Sequence, residues 1–191
     1  MSGFQRYKKI LDLFSEERSS LTVLEISKAL KAPSSTIYRI VREMVKAEFL
    51  ESASGSYFRL GPVFIKFNRI INYSDPLVRA GQPFLKKLAN ENPITSVNVL
   101  ARLYGNNVMC VADYKSPSFK KNTSYQRGKL MPLMYGATSR AIIMQITGKR
   151  LEDLINLENF KSHEDKNDFL KDLKNDRKKG YCYTEGQVDK G

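Results

Sequence analysis

Apolar residues at helical spacing predict two short helices at the start of the chain. The first is predicted over residues 4–16, where an apolar stripe runs from Phe4 to Phe14. The second begins at Thr22, because a threonine followed three positions later by Glu25 has the spacing of a capping box. Pro33 interrupts this second pattern and favours the start of another helix.

A third helical pattern, from about Ser34 to Ala47, has two unlike faces. Its apolar residues are predicted to pack inward, and they are Ile37, Ile40, Val41, Met44 and Val45. The opposite face is polar and cationic, with Ser35, Tyr38, Arg39, Arg42 and Lys46. Small polar groups near the start of a helix and cations behind them suit the major groove of DNA, where they meet base edges and phosphates.

A hairpin pattern and a fourth helical pattern follow. Phe49-Leu50 and the residues 57–60 predict two strands around a turn that contains Gly55, which together form a wing. After Pro62, an apolar stripe consists of Val63, Phe64, Phe67, Ile70 and Ile71. This stripe is predicted either to pack within the chain or to join the first helix in a symmetric dimer. We favour the dimer, because helix-turn-helix proteins usually bind two half-sites.

From Asp75-Pro76 onward, the pattern mixes strands and helices and predicts an α+β domain. A helix over residues 76–92 precedes two strands, 95–103 and 108–114, whose connection has a hairpin signal. Later elements are a short strand at Tyr125, the segment 130–135, helices up to 146, over 150–157 and over 164–179, and a strand at 181–184. The predicted domains are therefore a winged helix-turn-helix over 1–61, a linker helix over 62–74 and an effector or oligomerisation domain over 75–191.

The charge of the chain favours a polyanionic partner. There are 32 Lys+Arg against 20 Asp+Glu, which gives a formal net charge of +12 and a sequence pI near 9.7. Residues 1–73 hold 12 basic and 7 acidic residues, and the excess extends into the other half. The partner predicted for the first half is double-stranded DNA. The second basic surface has either a role of its own or none beyond solvation.

Several classes of function find no support in the sequence. There is no apolar run long enough for a bilayer and no signal-peptide pattern, so a cytoplasmic location and no membrane partner are predicted. Cys110 and Cys182 are predicted to be reduced and buried rather than paired, and His163 to lie in a solvated loop. This residue set predicts no metal site, no cofactor and no enzyme activity.

The order of these motifs resembles the isocitrate lyase regulator (IclR) family of transcription factors along nearly the whole chain. In the first half the resemblance rests on Tyr7–Phe14, Leu21–Val23, Pro33–Arg39 and Tyr57–Pro62. In the second half it rests on Arg127–Leu133, Ala137–Ala141, Gly180-Tyr181 and Glu185–Gly191. The resemblance implies a winged helix-turn-helix joined to a GAF/PAS-like effector domain, in a repressor or activator whose DNA affinity is set by a small organic ligand, often a carboxylate or aromatic acid. The alternative is a ligand-independent DNA-binding protein whose second domain serves only in assembly.

The candidate DNA-binding residues are Thr22, Ser34, Ser35, Thr36, Tyr38, Arg39, Arg42 and Arg59. Ser34 and Ser35 have the alternative of capping the helix, and Arg59 that of an ordinary exposed arginine. The candidate effector-binding residues are Leu133, Tyr135, Ala137, Thr138 and Ser139, where a helix start offers free N–H groups to a carboxylate. A tight packing corner without a ligand is the alternative for this second site.

Two departures from the family pattern affect the predicted effector domain. The family has a His-Ala pair and a helix-start glycine at the positions of Met134, Tyr135 and Ser139. The family's domain also continues past the Gly180-Tyr181 segment with further strands and a last helix. The effector domain is therefore predicted to be incomplete at its C-terminus, either as part of a longer protein or as a reduced sensor.

Overall fold

The computed structural model describes residues 3–91, 95–120, 123, 125–158, 160 and 162–188. It divides into two compact units, Met1–Ser74 and Asp75–Gly191. Within the described residues, no helix is long and apolar enough to cross a membrane. Mixed helices and short antiparallel sheets in both units confirm the predicted α+β class.

The first unit contains four α-helices and three short strands among the residues described. These elements are α1 (Gly3–Leu11), β1 (Ser20–Thr22), α2 (Val23–Leu30), α3 (Ser34–Lys46), β2 (Leu50–Ser52), β3 (Tyr57–Leu60) and α4 (Val63–Ser74). Their core is one apolar cluster to which α1, β1, α2, α3 and β2 all contribute, and it includes the fully buried Ile10, Leu21, Ile26 and Val41. As predicted, the apolar stripe of α3 faces this core.

One prediction for the first unit needs correction, and one strand was missed. The first helix ends at Leu11 instead of continuing to 16, because the chain tightens into shorter turns in which the amide of Phe14 donates to the carbonyl of Leu11 at 3.1 Å. Phe14 still packs against the core, which explains why its spacing suggested a longer helix. The strand β1 was not predicted, and it pairs antiparallel with β3 in a sheet of order β1-β3-β2.

The second unit is built on an antiparallel sheet of order β4-β5-β6, whose strands are β4 (Val97–Tyr104), β5 (Asn107–Lys115) and β6 (Leu130–Pro132). The helix α5 (Pro76–Glu91) contacts β4 and β5, and Val78 and Leu85 share an apolar cluster with Val111 and Ala112 of β5. The remaining helices are α6 (Ala137–Ile143), α7 (Gly148–Asn156) and α8 (His163–Lys179). They form a second cluster around Val108, Ile143 and Leu154.

Some predictions for the second unit are wrong. Neither Tyr125 nor 181–184 forms a strand; the sheet that holds β4, β5 and β6 includes neither segment. His163 is the exposed first residue of α8 and does not lie in a loop. The predicted helix end at Asn92 lies outside the described residues.

The cysteines are unpaired, as predicted. Cys110 is fully buried in β5, and its burial raises the pKa of the thiol to about 11. Cys182 is only half-buried and lies outside any strand, contrary to the prediction. Its thiol donates to the carbonyl of Ala137 at 3.1 Å.

Candidate nucleic-acid interface

The helix α2 begins at a complete capping box. The amide of Thr22 donates to Glu25 Oε2 at 2.7 Å, and the amide of Glu25 donates to Thr22 Oγ1 at 3.3 Å. The hydrogen bond from the Thr22 amide is the main cause that lowers the pKa of the Glu25 carboxyl below its ordinary value. Thr22 therefore has a structural role, which leaves its predicted phosphate contact as a proposal.

Hydrogen bonds donated by two serine side chains fix the turn between α2 and α3. The hydroxyl of Ser27 donates to the carbonyl of Ala32 at 2.6 Å, and the hydroxyl of Ser34 donates to Ser27 Oγ at 3.0 Å. Pro33 stands at the cap position of α3 and supplies no side-chain acceptor. Ser34 and Ser35 therefore do not cap α3, and the N–H groups of its first turn have no side-chain partner from the cap residue.

The solvent side of α3 gathers the polar residues that the sequence singled out. We call Ser35, Tyr38, Arg39, Arg42 and Lys46 the reading face, and all five side chains are exposed. The guanidinium of Arg42 lies 5.9 Å from the ring centroid of Tyr38, which places the cation over the aromatic face. Thr36 is half-buried beside this face, and Ser34 points its hydroxyl into the turn.

An acidic residue that the sequence interpretation overlooked also borders the reading face. Glu43 lies 3.6 Å from Arg39 across an exposed ion pair and accepts a short hydrogen bond from the hydroxyl of Tyr7 in α1. The i,i+4 spacing of Arg39 and Glu43 was the sequence signal for this pair. The contact from Tyr7 has no local signal, because the two residues are 36 positions apart.

The wing lies beside the reading face. A groove of about 740 Å³ is lined by α3 residues, including Tyr38, Arg42 and Lys46, and by Ser52 and Phe58 of the wing. Arg59 in β3 is exposed, and its Nε atom donates to Glu51 Oε1 of β2 at 2.5 Å. The structure thus brings the reading face and the wing together, but it supplies Arg59 with a carboxylate partner in the absence of DNA.

The candidate effector residues of the second unit fall in two environments. Leu133 is buried, and Ser139 is fully buried with its hydroxyl donating to the carbonyl of Pro132 at 2.7 Å. Ala137 and Thr138 are half-buried at the start of α6. Tyr135 is 46% exposed, and its hydroxyl donates to Glu158 at 3.3 Å, so the charge of Glu158 raises the pKa of this phenol.

The chain itself covers the start of α6. The amide of Gly136 donates to Gln187 Oε1 at 3.1 Å. A β-carbon at Gly136 would lie 2.7 Å from both the Tyr125 hydroxyl and Val188 Cγ2, and the backbone φ of 80° also favours glycine there. The amide of Gly136, one residue before the helix start where the sequence predicted a ligand carboxylate, is therefore already paired with the Gln187 side chain.

Comparisons with known proteins agree with this architecture. The family model described as the IclR helix-turn-helix domain matches residues 5–54. The Pca regulon regulatory protein of Pseudomonas putida is 18% identical over 196 residues, which is all of this chain and 66% of that protein. The chain thus spans slightly less than two thirds of this curated relative.

Solved structures share the fold. An IclR homolog from Microbacterium hydrocarbonoxydans, complexed with 4-hydroxybenzoate, is 19% identical with a TM-score of 0.78 over 98% of this chain and 78% of its own. An IclR transcriptional regulator from Alicyclobacillus acidocaldarius is 18% identical with the same TM-score of 0.78, over 97% of this chain and 76% of its own. At these identities the likeness establishes the fold of the two units.

Proposed function

We propose that the chain is a transcriptional regulator of the IclR family, that it binds operator DNA through α3 and that a small organic acid modulates this binding. The observation that carries the DNA part is the reading face, five exposed polar or cationic side chains on one side of a helix whose other side is buried. A helix presented in this way places its hydroxyls and cations at base edges and phosphates.

We assign different roles to the residues of this interface. Ser35, Thr36, Tyr38 and Arg39 lie in the first two turns of α3 and contact base edges. Arg42 and Lys46 lie further along and contact phosphates. Thr22 and Ser34, at the starts of α2 and α3, contact the DNA backbone. Arg59 contacts the DNA backbone or the minor groove after its ion pair with Glu51 breaks.

The test compares Arg39→Ala with Lys46→Ala on a site selected from random duplexes and on arbitrary DNA. A base contact contributes about 1–3 kcal/mol of discrimination, so Arg39→Ala should weaken the selected site more than arbitrary DNA. Lys46→Ala should weaken both alike and flatten the salt dependence of binding. If both variants match the wild type on the selected site in gel shifts, α3 is not the reading helix.

We propose an aromatic or other small carboxylate as the effector, bound among Leu133, Tyr135, Ala137, Thr138 and Ser139. Two findings support this: the helix start at α6, and the relative of the same fold that was solved with 4-hydroxybenzoate. Because Gln187 accepts from the Gly136 amide, a ligand carboxylate that also binds this amide must displace the Gln187 side chain. Such a ligand therefore competes with the Gln187 side chain for the Gly136 amide.

One observation favours the alternative of a ligand-independent protein. Gln187 and Val188 already fill the space at Gly136, as a packing corner without a ligand would. Calorimetry with 4-hydroxybenzoate and other small acids separates the two functions. We expect Gln187→Ala to tighten binding and Ala137→Leu to abolish it while DNA binding is retained. No heat from either the wild type or Gln187→Ala would favour the assembly role.

We further propose that the regulator is a homo-oligomer, a dimer or tetramer, joined through α1 and α4. The α4 stripe leaves Phe67, Ile70 and Ile71 between 47% and 52% exposed, and Phe4 of α1 is 79% exposed. A charge at Phe67 would place an unpaired ion in such a seam. Phe67→Glu should therefore sediment as a monomer and bind spaced half-sites much more weakly, whereas Lys66→Glu beside it serves as the charge control. Unchanged sedimentation of Phe67→Glu would remove this interface.

A further inference from the structure

A second groove borders α3 beside Thr36. It is about 520 Å³ in volume and lies between α1, the end of α2 and the first turns of α3. Its floor is apolar and includes Ile10, Leu30 and Ile37. We call it the α1 groove; it shares no lining residue with the groove between α3 and the wing.

Three cations line the α1 groove without a counter-charge. Arg6 and Lys9 come from α1 and Lys31 from the end of α2, and all three are exposed. No carboxylate lines this groove, and none of the three cations forms an ion pair within the part of the chain that the structure describes. By contrast Lys8, next to Lys9, pairs with Asp12 at 2.5 Å.

Lys31 has an unusual backbone conformation. It is the C-cap of α2, with φ 50° and ψ 47° in the left-handed region. Glycine and asparagine are the common residues there, because a β-carbon in this region meets the backbone. A lysine at this position offers a cation at the rim of the α1 groove, and its aliphatic stem is suited to the apolar floor.

The α1 groove and the wing lie on different flanks of the reading face. Thr36, a candidate DNA-binding residue, lines the α1 groove, whereas Tyr38, Arg42 and Lys46 line the groove beside the wing. A helix in the major groove has a sugar-phosphate strand on each side of it. The assignments made so far place cations mainly on the wing side and leave the strand beside Thr36 without a charged partner.

We propose that the α1 groove receives the DNA backbone on that second side, with phosphates contacted by Lys31, Lys9 and Arg6. This inference rests on the proposed DNA-binding function and extends it to residues outside the reading face. Charge complementarity identifies the occupant, because an uncompensated row of cations next to the reading helix attracts a polyanion. These contacts are independent of base sequence.

Lys31→Asn is the sharpest variant, because asparagine removes the charge and tolerates the left-handed backbone. Its melting temperature should equal or exceed that of the wild type, so weaker binding cannot be attributed to misfolding. The full chain is titrated with a duplex of arbitrary sequence at several salt concentrations. We expect Lys31→Asn and Lys9→Ala each to reduce the slope of log affinity against log salt by about 0.9.

Lys28→Asn and Lys8→Ala are the matched controls, since both lysines are exposed neighbours outside the α1 groove. Both controls should keep the wild-type slope. If Lys31→Asn and Lys9→Ala also keep it while Arg39→Ala weakens the selected site, the α1 groove does not contact DNA and the proposed function stands. If Arg39→Ala is also without effect, the proposed function itself fails. A melting temperature that 4-hydroxybenzoate raises in the wild type but not in Lys31→Asn, with an unchanged slope, would replace DNA by an organic anion.

Discussion

The two candidate sites of this protein differ in how their polar groups are used before any partner arrives. On α3, Tyr38, Arg39 and Arg42 are exposed, and their contacts with one another or with Glu43 remain open to solvent. At the start of α6, the hydroxyl of Ser139 and the amide of Gly136 already have partners within the chain. A partner of the first site meets exposed polar groups, whereas a ligand that uses the Gly136 amide or the Ser139 hydroxyl must first break an internal hydrogen bond.

The largest expected effect comes from removing one partner of a buried ion pair in the second unit. Arg140 in α6 is buried, and its guanidinium lies 2.5 Å from the Asp176 carboxylate of α8. Asp176→Ala removes the buried partner of this cation and leaves only the exposed Asp172 at 3.9 Å, so it should lower the free energy of unfolding by about 3–5 kcal/mol. Urea denaturation measures the loss as a lower transition midpoint.

Two exposed ion pairs serve as controls that separate the effect of burial from the loss of a carboxylate. Asp172 is 61% exposed and lies 3.9 Å from Arg140, and Glu43 forms an exposed pair with Arg39. Asp172→Ala and Glu43→Ala should each cost less than about 1 kcal/mol. Equal losses of unfolding free energy in all three variants would mean that burial does not make the Arg140–Asp176 pair more important for stability than the exposed pairs.

Helix caps give a smaller and more even comparison between the units. Thr22 begins α2 with a reciprocal capping box, whereas Ser162 begins α8 with a single bond, from the Asp165 amide at 3.0 Å. Thr22→Ala should cost about 1 kcal/mol, and Ser162→Ala about 0.5 kcal/mol. Thermal unfolding would contradict this order if Ser162→Ala lowered the melting temperature more than Thr22→Ala does.

The smallest effects concern acid stability. The amide of Thr22 lowers the pKa of the Glu25 carboxyl, and the guanidinium of Arg102 lowers that of Asp75. Because both folded values lie below the unfolded ones, each carboxylate stabilises the fold at neutral pH and loses this contribution as the pH falls through its folded pKa. Melting temperatures should show that the deficit of Glu25→Gln begins to shrink below pH 4.5 and that of Asp75→Asn only below pH 3.8, which are the ordinary values for these groups. Deficits that stay constant down to pH 2 would contradict these contributions.

The sequence predicted the first unit well, because its signals are local. The capping box at Thr22, the stripe of α3 and the turn at Gly55 each depend on residues a few positions apart. The strand β1 escaped prediction because three residues carry little periodicity, and Phe58 of β3, which pairs with Leu21, lies 37 residues further along the chain.

The second unit shows where local signals stop being sufficient. The segment 181–184 has strand-like composition, but a strand requires a neighbour, and the described sheet offers it none. In the same way, the start of α6 suggested a free anion site, yet Gln187, 51 positions further along, supplies the acceptor for the Gly136 amide. Composition does not reveal which side chain, distant in sequence, will form a hydrogen bond at the end of a helix.

Thr22 belongs to two elements at once, and this has a consequence for local opening of the first unit. It is the last residue of β1, paired with Tyr57 in the wing, and it is also the cap of α2. If β1 separates from β3, the cap moves with it, so the wing and the first turn of α2 should open as one cooperative segment. In native-state hydrogen exchange, the amides of β3 and the amide of Glu25 should therefore share one opening free energy, and DNA that holds the wing should slow exchange at both.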